Sequence, residues 1–194
     1  MRTIRDLRNL SKKTALILAG LVIAALAVGG YLISNKSPAT EAFQSEHISF
    51  VYSQDYQKQP IPAPATDSPQ TLVLLRALEP ARSIQLSFEK DAKTGASLTK
   101  QNFLDFLEAN AESGFPRFYN GFSKEKIERR QVSGVEISDF RFSYTGKDNQ
   151  TPVFIDYLII PLGNDAYYMT IQSTDKQNLD SESSKLISSL KILK

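Results

Sequence analysis

PVFIDYLIIPLGNDAYYMTIQST, residues 152–174, is the stretch that decides the fold. Two apolar runs flank Gly163-Asn164, a residue pair suited to closing a two-residue hairpin loop. Pro152 to Leu162 is apolar at nearly every position from Val153 to Ile160, which predicts a strand in the middle of a sheet with both faces covered. Asp165 to Thr174 supplies its antiparallel partner. One residue interrupts the apolar run. Asp156 is a carboxylate that requires a partner wherever it is buried.

Working upstream, Lys126–Val132 and Val135–Tyr144 flank Ser133-Gly134 and predict a second hairpin. In Val135–Tyr144 the apolar residues change parity, from Val135 and Ile137 to Phe140, Phe142 and Tyr144. A strand with one buried face cannot hold both sets, so a bulge is expected near Ser138-Asp139. Leu98 to Ser113 is an amphipathic helix, capped by Ser97 or Thr99 and ended by Gly114 and Pro116. The aromatic stretch Gly114–Ser123 follows as a loop over the sheet. Thr71–Leu78, apolar on both faces, predicts a central strand. Ser83–Phe88 alternates as a half-solvated one, and the turn Glu79-Pro80-Ala81-Arg82 joins the two. The first strand is His47–Tyr52, and Pro60, Pro62, Pro64 and Pro69 mark an extended surface loop after it. Leu179–Ser189 is a second helix, and Leu190–Leu193 closes the chain as a last strand or a helical turn. Hairpins with two intervening helices give an α+β domain, an antiparallel β-sheet with helices packed on it.

The N-terminal part is a different kind of sequence. Thr14 to Ile33 carries no charge and no proline, and twenty helical residues span about 30 Å, the hydrocarbon thickness of a bilayer. Arg2, Arg5, Arg8, Lys12 and Lys13 precede it against Asp6 alone, a net +4 in a chain whose total is +2. The residues after 33 therefore carry −2, and the sequence pI of 8.7 belongs to the flank, not to a nucleic-acid-binding surface. The positive-inside rule divides the chain into a cytoplasmic basic segment (1–13), a transmembrane helix (14–33), a polar linker (34–46) and an extracytoplasmic domain (47–194). Ala25-Leu26-Ala27 also matches a signal-peptidase site. The apolar run continues beyond Ala27 to Ile33, which favours an uncleaved single-pass signal-anchor in the cell membrane.

The order of parts after residue 45 resembles the PsbP-like family, named after an extrinsic subunit of photosystem II. The resemblance is carried by the opening strand His47-Ile48-Ser49-Phe50-Val51-Tyr52 with Tyr56, by the helix near Leu98, by Val132-Ser133-Gly134-Val135, and by the ending Ile187-Ser188-Ser189-Leu190-Lys191-Ile192. Ser53 stands where the family usually has proline, Tyr56 replaces its tryptophan, and the proline-rich loop is additional. The resemblance implies an antiparallel sheet between helices, an α/β/α sandwich. It implies no photosynthetic role, because no functional residue of the family is matched.

Composition removes much chemistry. The chain has no cysteine and one histidine, His47. Thiol catalysis, disulfides, a lipid-modified cysteine and the usual single-chain zinc sites are thereby excluded. No phosphate-binding glycine loop and no calcium-loop spacing occur, so no cofactor is expected. Two clusters remain as candidate sites. Asp139 and Arg141 precede the hairpin strand holding Asp156, and pairing brings Arg141 opposite Asp156. The favoured reading is a cross-strand ion pair on a solvated face, and the sharper one a ligand-binding polar spot in a cleft. Lys124, Lys126, Arg129 and Arg130 form a basic run, either a strand edge that resists pairing or a contact for anionic lipid or cell-wall polymer. The expected function is a non-enzymatic binding or accessory module near the membrane, with an envelope protein or anionic polymer as partner and no nucleic acid. The alternatives are a hydrolase using Asp139 with Asp156, which needs two carboxylates about 5–10 Å apart in a pocket, and a purely structural envelope protein. The sequence does not fix the oligomeric state.

Overall fold

The computed structural model describes residues 39–193, apart from residues 62, 64–68, 94–97, 147 and 149. The expected cytoplasmic segment, membrane helix and cleavage site at Ala27 lie outside the described residues. Among the described residues no helix is long and apolar enough to cross a membrane.

Ten strands and two helices follow in chain order. They are β1 (Thr40–Gln44), β2 (Ile48–Ser53), β3 (Gln57–Lys58), β4 (Gln70–Ala77), β5 (Arg82–Glu89), α1 (Lys100–Phe118), β6 (Ser123–Val132), β7 (Val135–Thr145), β8 (Pro152–Leu162), β9 (Asp165–Ser173), α2 (Lys176–Ser189) and β10 (Lys191–Ile192). Seven strands make one antiparallel sheet in the order β3-β4-β5-β9-β8-β7-β6, and β1-β2-β10 make a small second sheet. The β8–β9 hairpin lies centrally, closed by Gly163 at a φ of +66°, a value that favours glycine. In the β6–β7 turn both central residues have positive φ, Ser133 at +50° and Gly134 at +77°, which suits the twist of a tight hairpin.

The large sheet is covered on both faces. On one face α2 and the small sheet close an aliphatic core that includes Ile48, Phe50, Leu75, Ile84, Leu86, Ile137, Leu158, Ile160, Met169, Ile171, Leu179 and Leu186. On the other face α1 packs Phe103, Leu104 and Leu107 against Ile159 and Ala166. The last turn of α1 and the segment after it set Phe115, Tyr119 and Phe122 around Phe140 and Phe142. Each contact removes apolar surface from water, at about 25 cal/mol per Å².

Two-sided cover explains the first difference from the sequence expectation. Pairing of β7 with β8 runs without a shift from Ser138↔Ile159 to Thr145↔Pro152, so no bulge occurs at Ser138-Asp139. Ile137 enters the α2 core while Phe140 and Phe142 enter the α1 core, so both parities are buried in a regular strand. The irregularity of this hairpin is in β6, between Lys124 and Lys126.

Four other boundaries move. β4 is second from the sheet edge rather than central, with only the two residues of β3 beyond it. Residues 40–44, expected within the linker, form β1 along the edge of β2, and the Tyr52 hydroxyl donates to Glu41 at 2.8 Å. α1 continues through Gly114 and Pro116 to Phe118, because packing of Phe115 against Phe140, Phe142 and Tyr157 outweighs the local stop signals. Its cap is Thr99, whose hydroxyl accepts the Asn102 N–H at 3.3 Å. α2 begins three residues earlier than its apolar stripe, capped by Asp175 on Asn178 N–H, and the chain ends in a strand, β10.

Candidate functional site

Asp139, Arg141 and Asp156 share the face of the sheet that α2 covers, because positions of equal parity in β7 and their partners in β8 lie on one side. The register sets Arg141 directly opposite Asp156. The guanidinium grips both carboxylate oxygens, Nε to Oδ1 and Nη2 to Oδ2, each at 2.5 Å. Its remaining arm reaches Asp180 of α2. Hydrogen bonding to Asp156 holds the Arg141 pKa above its ordinary value, so its charge is permanent. Asp156 is 0% exposed. The pair is therefore a buried clamp between sheet and helix, not the solvated ion pair expected from sequence.

Asp139 is also buried and bonds Arg130 of β6, while its Oδ1 meets no hydrogen-bond donor among the described residues. Burial, reinforced by the nearby Asp156 charge, pushes the Asp139 pKa up against the pull of Arg130. Neither Asp139 nor Asp156 lines either of the two cavities described below. Paired carboxylates acting on a substrate need access to it, and these two face arginines instead.

The basic run does not form a patch. Lys126 and Arg130 lie on the α2 side and Arg129 on the α1 side of β6. Lys124 pairs with Glu112, Lys126 with Glu128, Arg129 with Asp105 and Glu108 of α1, and Arg130 with Asp139 and Glu128. A contiguous anionic-polymer surface on this strand is thus replaced by four locally neutralised cations. His47 faces the Tyr167 ring edge-on at 6.3 Å and lies 3.9 Å from Glu46. Among the described residues no group of three or more histidine or carboxylate side chains could hold a metal ion.

Two concave regions remain. One, of about 450 Å³, lies at the end of the sheet where the β6–β7 and β8–β9 turns meet the start of α1; its lining is mainly aliphatic, with Gln131 and Glu136. The other, of about 340 Å³, is a cleft beside α1. α1 packs over β7 and β8 and leaves β5 and β9 partly open. Into this gap project Phe106, Asn110 and Phe115 from α1, Tyr157 from β8, Tyr168 from β9 and Glu89 from the end of β5. Tyr157 and Tyr168 stack at 5.8 Å with planes 14° apart, and Phe115 meets Tyr157 edge-on at 4.9 Å. The Tyr168 hydroxyl donates to Glu89 at 2.6 Å, and burial together with this bond pushes its pKa upward. Aromatic walls with a few convergent polar groups are the usual make-up of a small-molecule or side-chain pocket.

The sequence expectation did not include this cleft. Glu89 and Tyr168 are 79 residues apart, and only the β5–β9 adjacency joins them. Tyr157 and Tyr168 were legible in principle. A loop at Gly163-Asn164 sets Tyr157 opposite Thr170, which makes Tyr168 its diagonal neighbour on one face.

No protein-family model matches the chain, and no curated protein matches its sequence. Solved structures do resemble it. The solution structure of cyanobacterial PsbP (CyanoP) from Synechocystis sp. PCC 6803 has a TM-score of 0.54 at 12% identity, covering 82% of this chain and 95% of that one. The crystal structure of LpqN, involved in cell envelope biogenesis of Mycobacterium tuberculosis, has a TM-score of 0.51 at 11% identity, covering 86% and 97%. A protein from Bacteroides thetaiotaomicron has a TM-score of 0.50 at 15% identity, covering 79% of this chain and 48% of that one. With identities this low the likeness concerns architecture alone: residues 40–193 have a PsbP-like α+β fold.

Proposed function

We propose that this protein is a non-enzymatic binding or accessory module, held by residues 14–33 on the outer side of a cell membrane. The observation that carries the binding role is the cleft beside α1. Four aromatic rings, one carboxylate and one amide converge in it, while the buried carboxylates elsewhere are occupied by arginines. Location rests on the uncharged span Thr14–Ile33 and its basic flank. An accessory role agrees with CyanoP, named as a PsbP, and with LpqN, described as acting in envelope biogenesis, although what each of those proteins binds is not transferred here.

The test is site-directed photocrosslinking in the intact membrane. A photoreactive residue replaces Asn110, beside the cleft, and in a second variant Lys185, on the exposed side of α2. Partner captured from position 110 and not from 185 supports the cleft as the binding site. Equal capture at both positions, or none at 110, removes the reading.

A further inference from the structure

The two most exposed large apolar side chains among the described residues are Leu78 and Phe118, each 81% exposed. They lie far apart in sequence and at the same end of the sheet. Leu78 follows Ala77, which pairs with Arg82; Arg82 pairs with Ser173, Ser173 with Phe154, and Phe154 with Ser143. Phe118 ends α1, and two residues on the Asn120 carbonyl accepts the N–H of Thr145, at the end of that same row. Four strand spacings separate β4 from β7, so the two tips stand about 20 Å apart along the sheet edge.

The domain also begins at this end. Thr40 pairs with Ser53, and two residues later Asp55 bonds Arg82, whose guanidinium lies over the Tyr56 ring at 5.1 Å. Chain entry and both apolar tips therefore border one end of the fold. The turns at Gly134 and Gly163 form the other end, a β8 length away, about 35 Å.

We propose that this end is a lipid-contacting face, with Leu78 and Phe118 seated in the headgroup region of the bilayer that holds residues 14–33. The proposal rests on the membrane anchor proposed above. The six residues 34–39 reach at most about 20 Å when extended, so the Thr40 end is held near the surface while the Gly163 end can stand clear of it. An aromatic ring at a water–lipid boundary is a favourable placement. Arg117, exposed beside Phe118 and without an ion pair among the described residues, adds attraction to anionic headgroups. Leu78 has Glu79 beside it, so its contact is apolar rather than electrostatic.

The chain has no cysteine, so single labels can be placed without background. The full-length protein, as Leu78→Cys, Phe118→Cys and Asn164→Cys variants, is reconstituted in vesicles of phosphatidylethanolamine and phosphatidylglycerol. Each variant is labelled with an environment-sensitive fluorophore and challenged with nitroxide-bearing lipids and with aqueous iodide. The expected result is lipid quenching and a blue shift at positions 78 and 118, with iodide quenching alone at 164. Protein that resists alkaline extraction but shows only iodide quenching at 78 and 118 overturns this proposal and leaves the anchor standing. Protein stripped from the vesicles by alkaline extraction overturns both. Protection at 78 and 118 in native membranes, absent in the vesicles, assigns the face to a protein partner and overturns the lipid contact.

Discussion

The two faces of the seven-stranded sheet are built differently, and β7 shows how. Ile137, Asp139 and Arg141 face α2, whereas Ser138, Phe140 and Phe142 face α1. The α2 face combines an aliphatic core with charge pairs that tie sheet to helix. The α1 face is aromatic and incompletely roofed, and its uncovered part is polar, with Gln85 bonding Thr71 and Ser87. A face sealed by charge clamps has little room for a ligand. A face packed by rings around a gap has a cleft.

Breaking the closed face should have the largest effect. Arg141→Ala leaves Asp156 buried without its counter-ion and is expected to cost about 3–5 kcal/mol in denaturant unfolding. The double replacement Arg141→Met with Asp156→Leu removes both charges and should recover most of that loss. If the double variant is as unstable as the single one, the clamp is more than a neutralised pair.

On the α1 face, Phe140→Ala removes a fully buried ring that contacts Phe115 and Phe142, with an expected cost of about 3 kcal/mol. Thermal unfolding measures it, and an unchanged Tm would show that α1 does not depend on the aromatic cluster. Arg129→Ala removes an ion pair with Asp105 and Glu108 at the rim of the same face. Its expected cost is about 1 kcal/mol or less, falling further at high salt. A larger loss would mean that these charges, rather than the rings, hold α1.

Asp139→Asn is the subtlest test. With its pKa raised in the fold, Asp139 keeps its proton over a pH range where the unfolded chain has lost it. Its contribution to stability therefore declines as pH rises from the ordinary carboxylate range through the raised value. Asparagine does not titrate, so this decline should vanish from the stability–pH profile of the variant while its stability at low pH stays close to that of the parent. An identical profile would place the Asp139 pKa at its ordinary value.

The same comparison shows what the sequence could and could not reveal. The β8–β9 hairpin was legible because Gly163-Asn164 and a continuous apolar run are local signals. The Arg141–Asp156 alignment was also legible, since it follows from the hairpin register, but its burial was not, because α2 arrives from the far end of the chain. The change of parity in β7 looked like a bulge when only one buried face was assumed. β1 was hidden in TEAFQ, whose mostly exposed residues carry no apolar alternation; an edge strand needs only backbone partners. Gly114 and Pro116 signalled a helix end that the distant packing of Phe115 overrode. The cleft escaped notice because its carboxylate and its tyrosine meet only through strand order.

The pairing of β1 with β2 has a mechanical consequence. Thr40 opposes Ser53 and Gln44 opposes Ser49, so β1 runs away from the end at which the chain enters the domain. Tension applied at Thr40 along the strand and away from Gln44 therefore shears β1 past β2, loading the hydrogen bonds of all five residue pairs together instead of peeling them one after another. β2 is in turn held by β10 and by the core under α2. A strand added to the edge in this direction turns the entry point of the chain into a strain-bearing joint.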